Sequence, residues 1–252
     1  MALSGACPGT VLAQVGVGIK SGFYALDGAV LAGVFWTSIL RPILKPCHPK
    51  PAPATSEGEE EKALKLTVHE HIKCPPSAML LAFEALCAAA VAGTVYLTAP
   101  SATAKISPIL GGFLIGLSQL WSLVSRKSLL GASTAYEELA THALWLLKGL
   151  PSASRPSGYN NIIFASGMAG GAFLLGNFFP NFVEGAAVAV PPLMAVAGGF
   201  LMVLGARIAG GCTSGHGISG MSMFSVSSFV TIGTALAVGV VARSLLMPAF
   251  GA

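Results

Sequence analysis

The residues best suited to chemistry lie in one twelve-residue run, Ala209-Gly210-Gly211-Cys212-Thr213-Ser214-Gly215-His216-Gly217-Ile218-Ser219-Gly220. It gathers a thiol, three hydroxyls, an imidazole and five glycines. Glycine at this density lets backbone amides approach a ligand and adopt positive φ. A chain break followed by a short helix presents free N–H groups and a positive dipole end, which suits an anion. Cys212 and His216 are four apart, so on an α-helix they would share one face. Arg207 stands just upstream near the end of an apolar run, where an ionisable side chain is costly and therefore a functional candidate. A structural alternative makes the glycines helix-packing residues and Cys212 a small buried hydrophobe. The gathering of Gly211, Thr213, Ser214, His216 and Arg207 around one cysteine favours a binding site.

A second stretch, Gly5-Ala6-Cys7-Pro8-Gly9-Thr10, points the same way. Proline is favoured at the first position of a helix, where its missing N–H costs nothing. That places Cys7 at the N-cap, where the helix dipole favours a thiolate or an anion bound to the thiol. An ordinary Pro-Gly turn is the alternative, and the pairing with Cys212 weighs against it.

The elements that must position these residues are membrane helices. Of 252 residues, 54% are hydrophobic and 10% charged, with a mean hydropathy of +0.74. Soluble domains carry about 25% charged residues, so this chain cannot dress a water-facing surface. Apolar runs near the roughly 20 residues a spanning helix needs fall at about 23–44, 77–99, 106–125, 160–179, 191–209 and 226–247. Residues 8–19 and 213–224 read as helices too short to span. Residues 133–148 read as an amphipathic helix capped by Ser133 or Thr134, with Glu137 and Glu138 in its first turn. The expected fold class is all-α: a polytopic membrane protein of repeated spanning helices, with short re-entrant helices at the Gly-Cys breaks.

Three regions follow: 1–44, holding the Cys7 motif and the first span; a solvated loop at 45–76; and a membrane region at 77–252 carrying the Cys212 motif. The loop combines Pro46, Pro49, Pro51 and Pro53 with the acidic run Glu57, Glu59, Glu60, Glu61, a composition that favours disorder. Six of the fourteen Lys and Arg residues fall in 41–73, which places the loop on the cytoplasmic side of the plasma membrane. Its Cys47, His48, His69, His71 and Cys74 match no standard zinc spacing, so no metal site is expected. Nothing resembles a Walker loop or a Rossmann glycine pattern, and no cofactor is expected. The net charge of +4 lacks a basic run with interleaved aromatics, which argues against nucleic acid. Five cysteines at dissimilar spacings imply no disulfide framework.

Internal similarity organises the rest. Each Gly-Cys motif is followed about fifteen residues later by an apolar span, and Gly111-Gly112-Phe113-Leu114 echoes Gly198-Gly199-Phe200-Leu201. Repeated units with interrupted helices are a common transporter plan. A span at 191–209 precedes the Cys212 motif, whereas six residues precede Cys7. The expectation is that a second copy, a separate subunit or a longer natural chain completes the wall around Cys7.

Gly-Ala-Cys-Pro-Gly-Thr and Gly-Gly-Cys-Thr-Ser-Gly-His-Gly-Ile-Ser-Gly resemble the two signature elements of the YeeE/YedE sulfur-transport family, here in the reverse of the family's order. The resemblance implies uptake of thiosulfate, or a related small sulfur-containing anion, through an hourglass-like path. In that family, cysteines at the constriction hand the anion along by S–H hydrogen bonds without covalent chemistry. By motif, Cys212 and Cys7 take that role. A third family cysteine has no counterpart: Cys87 sits in Ala-rich surroundings and is expected to be a buried structural residue. Two other readings stay open, a membrane sulfurtransferase with a Cys212 persulfide activated by His216, and a non-transporting membrane scaffold.

Overall fold

Apolar runs form the expected helices because nothing in them interrupts the backbone ladder, and Gly or Pro stands at most of their ends. The computed structural model describes residues 3–44, 67–68, 72, 75–97, 106–127, 131–147, 158–183 and 190–246. Helix α1, Pro8–Val17, begins with Pro8 at its first turn and ends at Gly18, which caps it in the left-handed region at φ 84°. Helix α2 starts at Lys20 and runs to Leu44, with a π-helical segment at Trp36–Leu40. Helices α3, Pro76–Leu97, α4, Pro108–Arg126, α5, Ser133–Leu147, and α6, Asn160–Phe178, follow. Helix α7, Pro192–Ile208, leads into a π-helical turn at Ser214–Gly220 and then α8, Val226–Leu246. The protein is all-α; the described residues contain no strand beyond an isolated bridge between Thr67 and Ser225.

Six apolar helices thus stand where the hydropathy runs place them. Lys20–Leu44, Pro76–Leu97 and Asn160–Phe178 are long and apolar enough to cross a membrane, while the apolar stretches of α4, α7 and α8 reach at most 17 residues. Helix α1 has 10 residues, so at 1.5 Å per residue it spans about 15 Å, half of a hydrocarbon core about 30 Å thick.

The core is built by small residues rather than large ones. Ala25, Ala29 and Ala32 of α2 and Val203 of α7 are fully buried, with Val11 of α1 and Tyr136 of α5 beside them. Helices α2 and α7 make the closest crossing. A Cβ on Gly28 would strike the Val196 carbonyl, and one on Gly199 would strike the Ala25 carbonyl. Only glycine permits this reciprocal backbone contact, the way membrane helices gain dispersion contacts where lipid offers no hydrophobic drive. Phe35 and Phe200 close the crossing with ring centroids 5.8 Å apart. By contrast, α3 has no buried residue and meets the re-entrant region through Phe83, whose ring centroid lies 5.4 Å from that of Phe224.

Several sequence expectations change here. Cys87, expected to be buried, is exposed, because α3 lies on the outside of the bundle. Glu137 and Glu138 are not in the first turn of α5; the helix starts at Ser133 itself, and Thr134 donates to the Gly131 carbonyl at 3.1 Å instead of capping an amide. The Gly111-Gly112 echo of Gly198-Gly199 does not extend to packing, since added Cβ atoms at Gly111 and Gly112 meet open space. Around the Cys7 motif this chain supplies contacts of its own. Ser4 presses on α7 at Gly198, the Tyr136 hydroxyl of α5 donates to the Pro8 carbonyl at 2.7 Å, and α1 packs along α6. Most of the 45–76 loop, including Cys47, His48, His69, His71 and Cys74, lies outside the described residues.

Candidate functional site

Cys7 occupies the N-cap of α1 with extended backbone, φ −94° and ψ 168°. Its sulfur accepts from the Thr10 amide at 3.4 Å and lies 2.8 Å from the Thr10 hydroxyl. A helix start thus holds this thiol in place, as Pro8 in the sequence implies.

Cys212 is held by a break instead. After α7, Gly210 takes φ 78°, a conformation that costs a side-chain-bearing residue about 1–2 kcal/mol, and the chain turns back at Cys212. The next turn is π-helical at Ser214–Gly220, a wider winding than the α-helix the spacing predicts, and π-turns occur often at functional sites. Cys212 is 5% exposed. Its sulfur lies 3.0 Å from the Ser214 hydroxyl, and the Gly215 amide together with the hydroxyl and amide of Ser133 also faces it.

His216 does not share a face with the Cys212 thiol. Its backbone amide donates to the Cys212 carbonyl at 2.8 Å. The ring turns away, with Nδ1 2.9 Å from the Ser228 hydroxyl and Nε2 3.1 Å from the Ala209 carbonyl. Gly211 makes room, since a Cβ there would lie 2.9 Å from Nε2. The imidazole therefore staples α8 to the end of α7 across the break. The persulfide alternative requires His216 to activate Cys212, and both ring nitrogens already hold other partners.

Arg207 reaches the cysteine through an intermediary. Its Nη1 donates to Glu137 Oε2 at 2.6 Å and its Nη2 to Ser133 Oγ at 2.8 Å. Glu137 Oε1 also pairs with Arg41 at 3.1 Å. Ser133 thus joins the guanidinium to the Cys212 sulfur. Tyr136, one turn along α5, lies within electrostatic reach of both Cys7 and Cys212, so the two signature motifs meet in one chain around it.

Ser133, Tyr136 and Glu137 escape the motif reading, although a signal exists. Gly131-Ala132-Ser133-Thr134 repeats the pattern of Gly5-Ala6-Cys7-Pro8 and Gly210-Gly211-Cys212-Thr213, with a hydroxyl in place of the thiol. All three lead into helical turns that converge on the same spot.

Two cavities flank this spot. One, of about 510 Å³, is lined by Pro8, Gly211, Cys212 and Thr213 with Thr231 and Ala235 of α8. The other, of about 970 Å³, is lined by Gly9, Ala132, Ser214 and Ile218 with Trp121 and Phe164. Neighbouring motif residues therefore face different cavities, Pro8 against Gly9 and Cys212 against Ser214. Among the described residues no group of three or more metal-ligating side chains occurs.

Comparison with known proteins finds relatives named as transporters. Two proteins of Xylella fastidiosa named "Probable transporter", from strains Temecula1 and 9a5c, are 37% and 35% identical to it over 123 residues, which is 49% of this chain and 81% of each relative. A family model described as sulphur transport matches residues 1–242. With its apolar helices and re-entrant breaks, the chain is a membrane protein and belongs to the sulphur transport family.

Proposed function

We propose that the chain carries thiosulfate, or a closely related small sulfur-containing anion, inward across the plasma membrane by non-covalent hand-over between thiols and hydroxyls. The observation that carries this reading is the pair of cysteine motifs standing between two cavities, with Cys212 on one side and its hydrogen-bonded neighbour Ser214 on the other. An S–H group donates a weak hydrogen bond, enough to replace part of an anion's hydration without holding it. Conduction needs that balance, because binding must be favourable enough to enter and weak enough to leave. Thr213 and Gly211 offer a hydroxyl and an approachable backbone beside Cys212, and Cys7 with Thr10 offers a second thiol–hydroxyl pair. His216 serves this path by fixing the break, and Arg207 by placing positive charge behind Ser133. Uptake of labelled thiosulfate by vesicles containing the purified chain, compared between wild type and Cys212→Ala, tests the reading.

A further inference from the structure

Glu137 carries two cations. Its Oε2 is 2.6 Å from Arg207 Nη1 and its Oε1 is 3.1 Å from Arg41 Nη1. Among the described residues, these two guanidinium groups against one carboxylate leave one net positive charge. Of the two cations Arg207 is the buried one, and a buried charge is expensive unless all of its donors are partnered. Arg207 shows where the excess is directed. Its side chain is 9% exposed, its Nη2 donates to Ser133 Oγ at 2.8 Å, and its Nε is buried with no partner. Nε and Nη2 form one edge of the guanidinium plane, and such an edge matches two oxygens of an oxyanion. Ser133 on this edge also faces the Cys212 sulfur. At the other end, Arg41 is half-exposed, so the cluster runs from the molecular surface toward the buried Cys212.

We infer that Arg41, Glu137 and Arg207 form an anion seat beside Cys212, with the Nε–Nη2 edge of Arg207 as its binding edge. Glu137 is the counter-charge that keeps the seat from holding its anion too tightly, and Arg41 is the charge that keeps the seat from being neutral. Calling the anion a sulfur anion rests on the transport reading above; the seat itself rests on the geometry.

The test is a charge ladder read as thiosulfate affinity by calorimetry on the purified full chain, with sulfate as a second oxyanion probe. Arg41→Gln leaves the cluster neutral and is expected to weaken binding of these dianions by about tenfold or more, the order for one half-exposed charge roughly 10 Å from two negative charges at an effective dielectric of about 40. Glu137→Gln leaves two net charges and is expected to bind more tightly. The double variant restores one net charge and returns to within about threefold of wild type, as does Arg41→Lys. A double variant weaker than both single variants, an Arg41→Gln protein with wild-type affinity, or a wild type that binds neither oxyanion overturns the seat. If Glu137→Gln does not fold, the contrast between Arg41→Gln and Arg41→Lys decides alone. Wild-type vesicles that fail to take up thiosulfate would overturn the transport reading while leaving the affinity ladder intact. Cys212-dependent uptake with a broken ladder would overturn only the seat.

Discussion

Ser133→Ala removes one oxygen and little volume, so its effect isolates a hydrogen bond. Ser133 is 2% exposed, and its Oγ accepts a hydrogen bond from Arg207 Nη2 at 2.8 Å while facing the Cys212 sulfur. A hydrogen bond to a charged group contributes about 1.5–3 kcal/mol net. The packing cost of a missing oxygen is small beside that. Arg207 keeps Glu137, so the fold should survive, with a guanidinium whose Nε is already unpartnered losing a second contact. If roughly 2 kcal/mol of this appears in the barrier to passage, uptake falls about thirtyfold, at 1.36 kcal/mol per factor of ten. Ser133→Cys keeps a small donor at the same place and should recover most of the loss. The assay is initial uptake of labelled thiosulfate in vesicles with matched amounts of folded protein. Ser133→Ala within threefold of wild type would refute the link from Arg207 through Ser133 to Cys212.

Gly199→Ala should lower the thermal midpoint in detergent, by the equivalent of about 1–3 kcal/mol of overpacking, because its Cβ meets the Ala25 carbonyl; Gly112→Ala, which meets open space, should not. Equal midpoints would contradict the close α2–α7 crossing. His216→Ala gives up contacts to Ser228 and Ala209, each worth about 0.5–1.5 kcal/mol. Hydrogen exchange across 209–225 should then quicken, while His216→Gln should keep most uptake. A stable His216→Gln protein without uptake would show that the ring does more than staple the break.

The spanning helices are legible in the sequence because a bilayer demands a long apolar run, and runs such as 77–99 and 226–247 contain little else. The break at Gly210 and the N-cap at Cys7 are legible too, since Gly-Gly and Cys-Pro are local backbone instructions. Glu137 is not. Its partners stand 70 residues away at Arg207 and in a different helix at Arg41, and no local pattern encodes that meeting. Capping rules would put it in the first turn of α5, but it lies beyond that turn, and its ion pairs, not the helix dipole, account for its surroundings. His216 misleads for a related reason. Four-residue spacing from Cys212 promises a shared face only on an α-helix, and the wider π-turn rotates the ring toward Ser228. The exposed Cys87 reflects a different limit: an apolar helix facing lipid and one facing protein read alike.

The central claim is that thiol hand-over at Cys212 moves the anion. Labelled thiosulfate uptake by vesicles holding purified wild type, Cys212→Ala or Cys87→Ala, at equal folded protein, tests it most directly. The account predicts that Cys212→Ala falls to the level of empty vesicles while Cys87→Ala matches wild type. Wild-type uptake rates in Cys212→Ala vesicles would contradict it.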